Sequence, residues 1–443
     1  MRYRTLSILA ILVAGTCLAL EPADQGSVKR GEPQRQGNNW EERAECSIPA
    51  REGGRLVVRA DFGSLDVKPG ANDRVVCQVR LRAYTSNEDE ARRYFKDFEL
   101  TLRQLEGGLY LTGRLPQQRH GHMSLGAEYA ITVPLRFNLD LETKGGGIEV
   151  QKLEGQLQAV TAGGSIRTGD VTGPVRVETA GGGIQLGTIA APVEARTAGG
   201  SIRVGDVHGA AVLETSGGEI VAGLIQGTLR AQTAGGDLIL RGASGPIEAR
   251  TAGGQIQVGQ CGGNVIAQTA GGSIRLQGAR GRVEARTAGG SIDLLQIQNA
   301  IRATTAAGAI LAQVDGDLKT FAASELQTSV GDIQVFLPPN LPVTVDAAID
   351  MAAGHKIISD FPLNIQKEGE AFVPTKLRGE GALNGGGEVL RLRTVAGNIE
   401  IRKLDPRTLE QFRVRQESFW KRWQEKEERR QQKQQERQEH EEE

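Results

Sequence analysis

Hydrophobic and polar residues alternate along this chain in short bursts separated by glycine. Val193, Ala195 and Thr197 alternate with Glu194 and Arg196, and Ile202 and Val204 alternate with Ser201 and Arg203. A period of two is the pattern of a strand with one buried face. Gly199 and Gly200 separate the two bursts, and Gly205, Asp206 and Gly209 follow the second. Glycine at such corners admits positive φ and close backbone approach. The predicted unit is therefore strand, glycine corner, strand, glycine corner.

This unit recurs without a gap. Thr143, Thr161, Thr179, Thr197, Thr215, Thr233, Thr251, Thr269, Thr287 and Thr305 each open a TAGG-like stretch, eighteen residues after the last. Self-similarity at a short fixed period marks a solenoid, in which each repeat buries its apolar side against its neighbours. With parallel coils about 4.8 Å apart, ten of them make a rod roughly 45 Å long. Equivalent positions then become columns. Ile184, Ile202, Ile220, Leu238, Ile256, Ile274 and Ile292 form one, and Leu186, Val204, Val258, Leu276 and Leu294 another. The threonines form a third, their hydroxyls bonding along the stack or to the corner backbone.

A left-handed hexapeptide helix also has eighteen-residue coils, but it needs an inward aliphatic every six residues. Six and twelve residues after Ile202 stand His208 and Glu214, which excludes it. Crossovers between parallel strands are right-handed by default. The expected fold is all-β: a right-handed parallel β-solenoid with irregular strands capping its open ends.

The rest of the chain divides around that rod. Met1 to Arg4 carry two arginines, Leu6 to Val13 are apolar, and small residues follow. That is the layout of a secretory signal peptide, assigned to residues 1–19 with cleavage after Ala19. Residues 20–42 read as a flexible linker, 43–142 as a strand-rich N-terminal cap containing a short helix over NEDEARRYFKDF, and 143–319 as the regular solenoid. Residues 320–404 read as irregular coils and a cap; Thr394, Gly397, Ile399 and Ile401 form a last coil displaced by an insertion from Met351 to Gly387. Beyond 404, Asp405 with Pro406 is a helix start. Leu409, Phe412, Phe419 and Trp423 follow at helical spacing, ahead of a charged helical or disordered tail to residue 443.

Composition narrows the function classes. The net charge of -1 leaves no footprint for nucleic acid. Aromatic residues are only 4% against 59 glycines, so the core must come from stacked small and β-branched residues. No segment after the signal is long and apolar enough to span a bilayer; a membrane contact would need lipidation at Cys17, the alternative reading of that segment. Cys46 with Cys77 is the candidate disulfide, with two separately buried thiols as the alternative. Cys261 takes a position held elsewhere by Val207, Ile225, Ala243 and Ala279, which reads as core.

The recurrent TAGGxI motif, the VPLRFNLDLETKGGGI entry and the closing LNGGG followed by RTVAGNIEI resemble the bacterial β-strand-repeat family labelled putative adhesin. The resemblance runs from about Cys46 to Leu404. It implies an extracytoplasmic β-solenoid and supplies no catalytic residue. The charged tail lies outside the pattern.

Candidate chemistry is sparse. Outward charges form ladders, with Glu178, Arg196, Glu214, Gln232, Arg250, Gln268 and Arg286 in one column and Arg176, Glu194, Arg230, Glu248 and Glu284 beside it. Val221 and Ile239 interrupt another outward column as a small apolar spot, which makes them, with Phe419 and Trp423, candidate contact residues. Asp237 stands one coil from Glu219, the best pair for the alternative of a polysaccharide-active enzyme. His120 and His122 are too few for a dedicated metal site. No cofactor or metal is expected. The expected function is non-enzymatic: an exported module meeting an unknown protein or glycan at the cell envelope, with a self-assembling envelope scaffold as a further alternative.

Overall fold

Each coil closes as the alternation requires. The computed structural model describes residues 26–70, 73–115, 125–315, 321–370 and 373–412, with positions 414, 421, 425 and 429 beyond. Among the described residues there are 37 strands, numbered β1–β37 in chain order, a helix α1 in the N-terminal part, and a helical stretch after residue 405. In one regular coil, β16 (Val193–Thr197) and β17 (Ile202–Val204) face each other from two sheets. β16 pairs in parallel with β14 (Val175–Thr179) and β18 (Ala211–Thr215), placing Thr197 against Thr179 and Thr215. β17 pairs likewise with β15 (Ile184–Leu186), placing Ile202 on Ile184. The two sheets hold 18 and 19 strands. Long sheets of short, repeated parallel strands make the molecule an all-β solenoid.

The predicted columns are the core. Ile184, Ile202, Ile220, Ile256, Ile274 and Ile292 are buried, as are Leu186, Val204, Val258, Leu276 and Leu294. A further inward column adds Leu153, Val171, Ile189, Val207 and Ile225, joined by bridges and continued by Ala243, Cys261 and Ala279. Cys261 is therefore a core residue of that column.

The threonine column is buried, and each hydroxyl bonds to the corner backbone of its own coil and of the coil below. The hydroxyls of Thr161, Thr179, Thr197, Thr215, Thr233, Thr251, Thr269 and Thr287 each donate to a glycine carbonyl fifteen residues earlier, at 2.8–2.9 Å. Each also accepts from the glycine amide three residues later, as Thr251 does from Gly254 at 3.2 Å. Valine has the same shape, but it would strand a buried carbonyl and a buried amide.

The corner glycines are there for space. The paired glycines of the TAGG corners do not have positive φ, contrary to one half of the sequence expectation. A Cβ on Gly200 would sit 2.1 Å from the carbonyl oxygen of Gly182 in the coil below, whereas one on Gly199 would meet Gly181 O at 3.3 Å. Stacked backbones touch at the second glycine of each pair.

Both ends are capped by coils laid out of sequence order. At the N-terminal end β4 (Arg55–Ala60) lies between β10 (Asn138–Thr143) and β8 (Gly108–Arg114), parallel to both. β5 (Ser64–Pro69) lies in the same way between β11 (Ile148–Val150) and β9 (Leu125–Val133). Antiparallel β7 (Glu99–Leu105) closes one sheet, and β6 (Arg74–Ala83) and β3 (Asn39–Pro49) extend the other. At the far end β36 (Val389–Ala396) lies between β30 (Ser324–Val330) and β32 (Val343–Ile349). β37 (Ile399–Lys403) lies between β31 (Ile333–Leu337) and β33 (Ile357–Ser359). The Thr394 coil is thus the last in sequence and the penultimate in space. β32, which precedes the expected insertion, and β33, which lies inside it, form a coil of their own, followed by the covering hairpin β34 (Asn364–Glu370) and β35 (Val373–Leu383).

The stretch read as a linker is part of the cap. β1 (Ser27–Arg30) and β2 (Gln34–Gln36) both pair antiparallel with β3. Arg30 reaches α1 (Glu88–Asp97), donating to Phe95 O at 2.8 Å and Phe98 O at 2.5 Å. A cation on the free carbonyls of a helix C-terminus is favourable. α1 itself starts where Asn87 accepts from the amides of Asp89 and Glu90, carries acidic residues in its first turn, and buries Ala91 and Phe95.

At the other end, residues 406–412 are helical. Asp405 caps them, accepting from Thr408 N at 2.8 Å. Phe412 packs edge-on against Phe336, with ring centroids 5.1 Å apart. Residues 1–25, hence the signal segment and Cys17, lie outside the described residues, as do His120, His122, Phe419 and Trp423.

Candidate functional site

The even-numbered strands of the solenoid project two outward columns from one sheet, and their charges pair both between coils and within a strand. Arg176 meets Glu194 at 3.0 Å, and Arg196 contacts both Glu194 and Glu214, the latter at 2.9 Å. Arg230 joins at 3.8 Å from Glu214. Hydrogen bonding to Glu214 raises the Arg196 guanidinium above its already high range. Further up, Arg250 contacts Glu248 and donates to Gln268, and Arg286 meets Glu284 at 3.0 Å. Such pairs contribute little individually, roughly 0.2–1 kcal/mol; they fix register and leave a patterned polar face. Beside it runs a groove of about 480 Å³, walled by Glu178, Arg196, Glu214 and Gln232 and by the corner residues Ala180 and Ala198.

A larger groove, about 680 Å³, opens on the other sheet at the N-terminal cap. Its floor is the outward face of β3, β6 and β9, presenting Arg43, Glu45, Gln78, Arg80 and Glu128, with Lys29 of β1 at its border. Arg43 stands directly opposite Arg80, a like-charge neighbour relieved where Arg80 bonds Glu128 through Nε at 2.9 Å. Sequence reasoning missed this groove. Its border strand lay in the supposed linker, and its floor is assembled from segments as far apart in the chain as Arg43 and Glu128.

The sequence-predicted site residues are distributed differently. Val221 and Ile239 are stacked neighbours, but Val221 is only 6% exposed. Arg203, one coil below it, bonds Glu219, two residues before it. Ile239 stays partly exposed, so only half of the apolar spot faces solvent. Glu219 and Asp237 do lie one coil apart, yet Glu219 is held by Arg203 and Asp237 Oδ1 accepts from Gln255 N at 2.8 Å. Asp170 and Asp206 do the same for Thr188 N and Leu224 N at 2.9 and 2.8 Å. These carboxylates satisfy the backbone of the next coil. Among the described residues no three His, Cys, Asp or Glu side chains converge as a metal site, and no helix is long and apolar enough to cross a membrane.

Cys46 and Cys77 are register partners across β3 and β6, both buried, and the structure holds them as free thiols, not as a disulfide. Cys261 is a third buried free thiol, within the rod.

No family model matches this chain, and no curated protein matches it. Among solved structures, the crystal structure of a putative cell adhesion protein from Clostridium sporogenes aligns over 84% of this chain and 100% of its own, at 9% identity and a TM-score of 0.16. A likeness of that size carries no argument about function.

Proposed function

We propose that the protein is an exported, non-enzymatic contact module that presents its solenoid to a protein or glycan of the bacterial cell envelope, in the manner of an adhesin. The observation that carries this reading is the charge-patterned sheet, whose outward side chains are paired between coils from Arg176 to Arg230 and within strands further up. A stable contact buries about 800 Å² on each partner, and a face that repeats its outward columns over several coils offers a continuous surface for one. The reading as a polysaccharide-active enzyme is disfavoured because its best carboxylate pair is engaged, Asp237 with a backbone amide and Glu219 with an arginine. Export rests on the signal-like segment at residues 1–19, and membrane association would rest on Cys17.

The test is photo-crosslinking in cells, with the crosslinking side chain placed singly at Arg196, Arg43 and Gln185, followed by mass spectrometry. The expected result is one recurring envelope partner captured from Arg196 or Arg43, with the mature chain beginning at Leu20. Retention of residues 1–19 would remove the export reading. Polysaccharide turnover abolished by Glu219→Gln together with Asp237→Asn would replace the contact role with catalysis.

A further inference from the structure

Cys46 and Cys77 face each other inside the N-terminal cap, and their position in the ladder determines what they can do. Ala50 N donates to Asp73 O at 2.9 Å, and this pair lies in the same register as Cys46 and Cys77. Hydrogen-bonded and non-hydrogen-bonded pairs alternate along an antiparallel ladder. The Ile48–Val75 and Cys46–Cys77 pairs are therefore of the hydrogen-bonded kind. Such a pair keeps its Cα atoms about 5.5 Å apart, inside the roughly 4.4–6.8 Å that a disulfide spans. Both side chains point to the buried face. The contact of the Cys77 thiol with Cys46, together with burial, holds that thiol well above the usual thiol range.

We propose that Cys46 and Cys77 are a reversible dithiol–disulfide couple that latches β3 to β6. A bridge needs the Cβ atoms drawn in to about 3.8 Å, so closing it twists the strand pair and leaves the bond more reducible than a relaxed one. The oxidant is a small-molecule disulfide. One cysteine thiolate attacks it and expels a thiolate, giving a mixed disulfide. The second cysteine thiolate then attacks the protein-side sulfur and expels the other small thiol. Two S–H bonds are lost, one S–S bond forms in the protein, and the two electrons and two protons leave on the two released thiols.

The location gives the couple a consequence. Arg43 and Glu45 on β3, and Gln78 and Arg80 on β6, are the outward neighbours of these cysteines and form the floor of the larger groove. Latching the strands from behind stiffens that floor. Both thiols lie on the buried face of β3 and β6, so the oxidant reaches them only when the cap opens locally.

The experiment uses the folded full chain equilibrated in buffers of graded reduced and oxidised glutathione, then alkylated under denaturing conditions and digested. Cys261 has no thiol partner and serves as the internal reference, and Cys17 is read from its own peptide. The expected result is joint, reversible loss of alkylation at Cys46 and Cys77, a linked peptide between them, and slower amide exchange in β3 and β6 in oxidised buffer. Cys46→Ser should abolish the linked peptide and leave Cys77 either alkylated or stopped as a mixed disulfide with glutathione, and Cys46→Ser/Cys77→Ser, with an unchanged far-UV spectrum, should abolish the exchange difference. Full alkylation of both cysteines at every glutathione ratio would overturn the proposal. So would a bridge involving Cys261, or one that persists in the reducing buffers.

Discussion

The two glycines of each TAGG corner look interchangeable in the sequence and are not. A methyl on Gly199 would have to move its neighbour by a few tenths of an ångström, while one on Gly200 would run into the Gly182 backbone. The chain itself reflects the difference. Ala307, Val330 and Ala396 replace the first glycine in three later coils, whereas the second is kept as Gly308, Gly331 and Gly397. Gly199→Ala should therefore change stability by no more than about 0.5 kcal/mol, and Gly200→Ala should lower it by about 1–3 kcal/mol or more, because the obstructing atom is backbone. Thermal melts followed by circular dichroism decide this; equal melting points for the two variants would mean the coils can separate freely. Two-residue alternation and the eighteen-residue period made the inward columns readable residue by residue. The burial of Val221 was not readable, because the two-residue alternation places it on the outward side.

At the scale of single elements, what the sequence concealed were strands without a buried face and pairings without proximity. β1 and β2 are exposed at every residue, so they carry no alternation to detect and read as linker. β36 pairs with β30 at an offset of 66 residues, Thr328 to Thr394, where the eighteen-residue rhythm gives no guide. That inserted coil is held to the one above it by Asp346 of β32. Asp346 pairs with Arg391 at 3.5 Å and also contacts Arg393, whose Nη1 donates to Asp346 O at 3.0 Å. Hydrogen bonding to Arg393, against a smaller opposing effect of burial, holds the Asp346 carboxyl below its usual range. A folded pKa below the unfolded value means the stabilisation is fully present above about pH 4 and is lost as pH falls through the folded value. Asp346→Asn should thus cost roughly 0.2–1 kcal/mol at neutral pH, and the deficit should shrink below about pH 4. Denaturant titrations of both proteins across that range supply the measurement; a deficit that stays constant down to acid pH would show that the carboxylate charge is not what matters there.

For the molecule as a whole, the out-of-sequence coils at the two ends change how a stack of near-identical repeats can fail. A simple solenoid is bound only to its nearest neighbours and frays from its ends. Here each end is clasped by a coil whose neighbours lie far away in the chain, β4 and β5 at one end and β36 and β37 at the other. The weakest places should then be interior, wherever a column is interrupted. Ile256 sits fully buried in β23 (Ile256–Cys261), between Leu238 of β21 (Leu238–Ala243) and Ile274 of β25 (Ile274–Ala279). An aspartate there has no inward partner, and an unpaired buried charge costs several kcal/mol. Ile256→Asp should open β21, β23 and β25 to hydrogen exchange while β3 and β6 at one end, and β32 and β36 at the other, keep their protection. If protection were lost evenly from cap to cap, the rod would be a single cooperative unit, and the clasped ends would be transmitting damage instead of containing it.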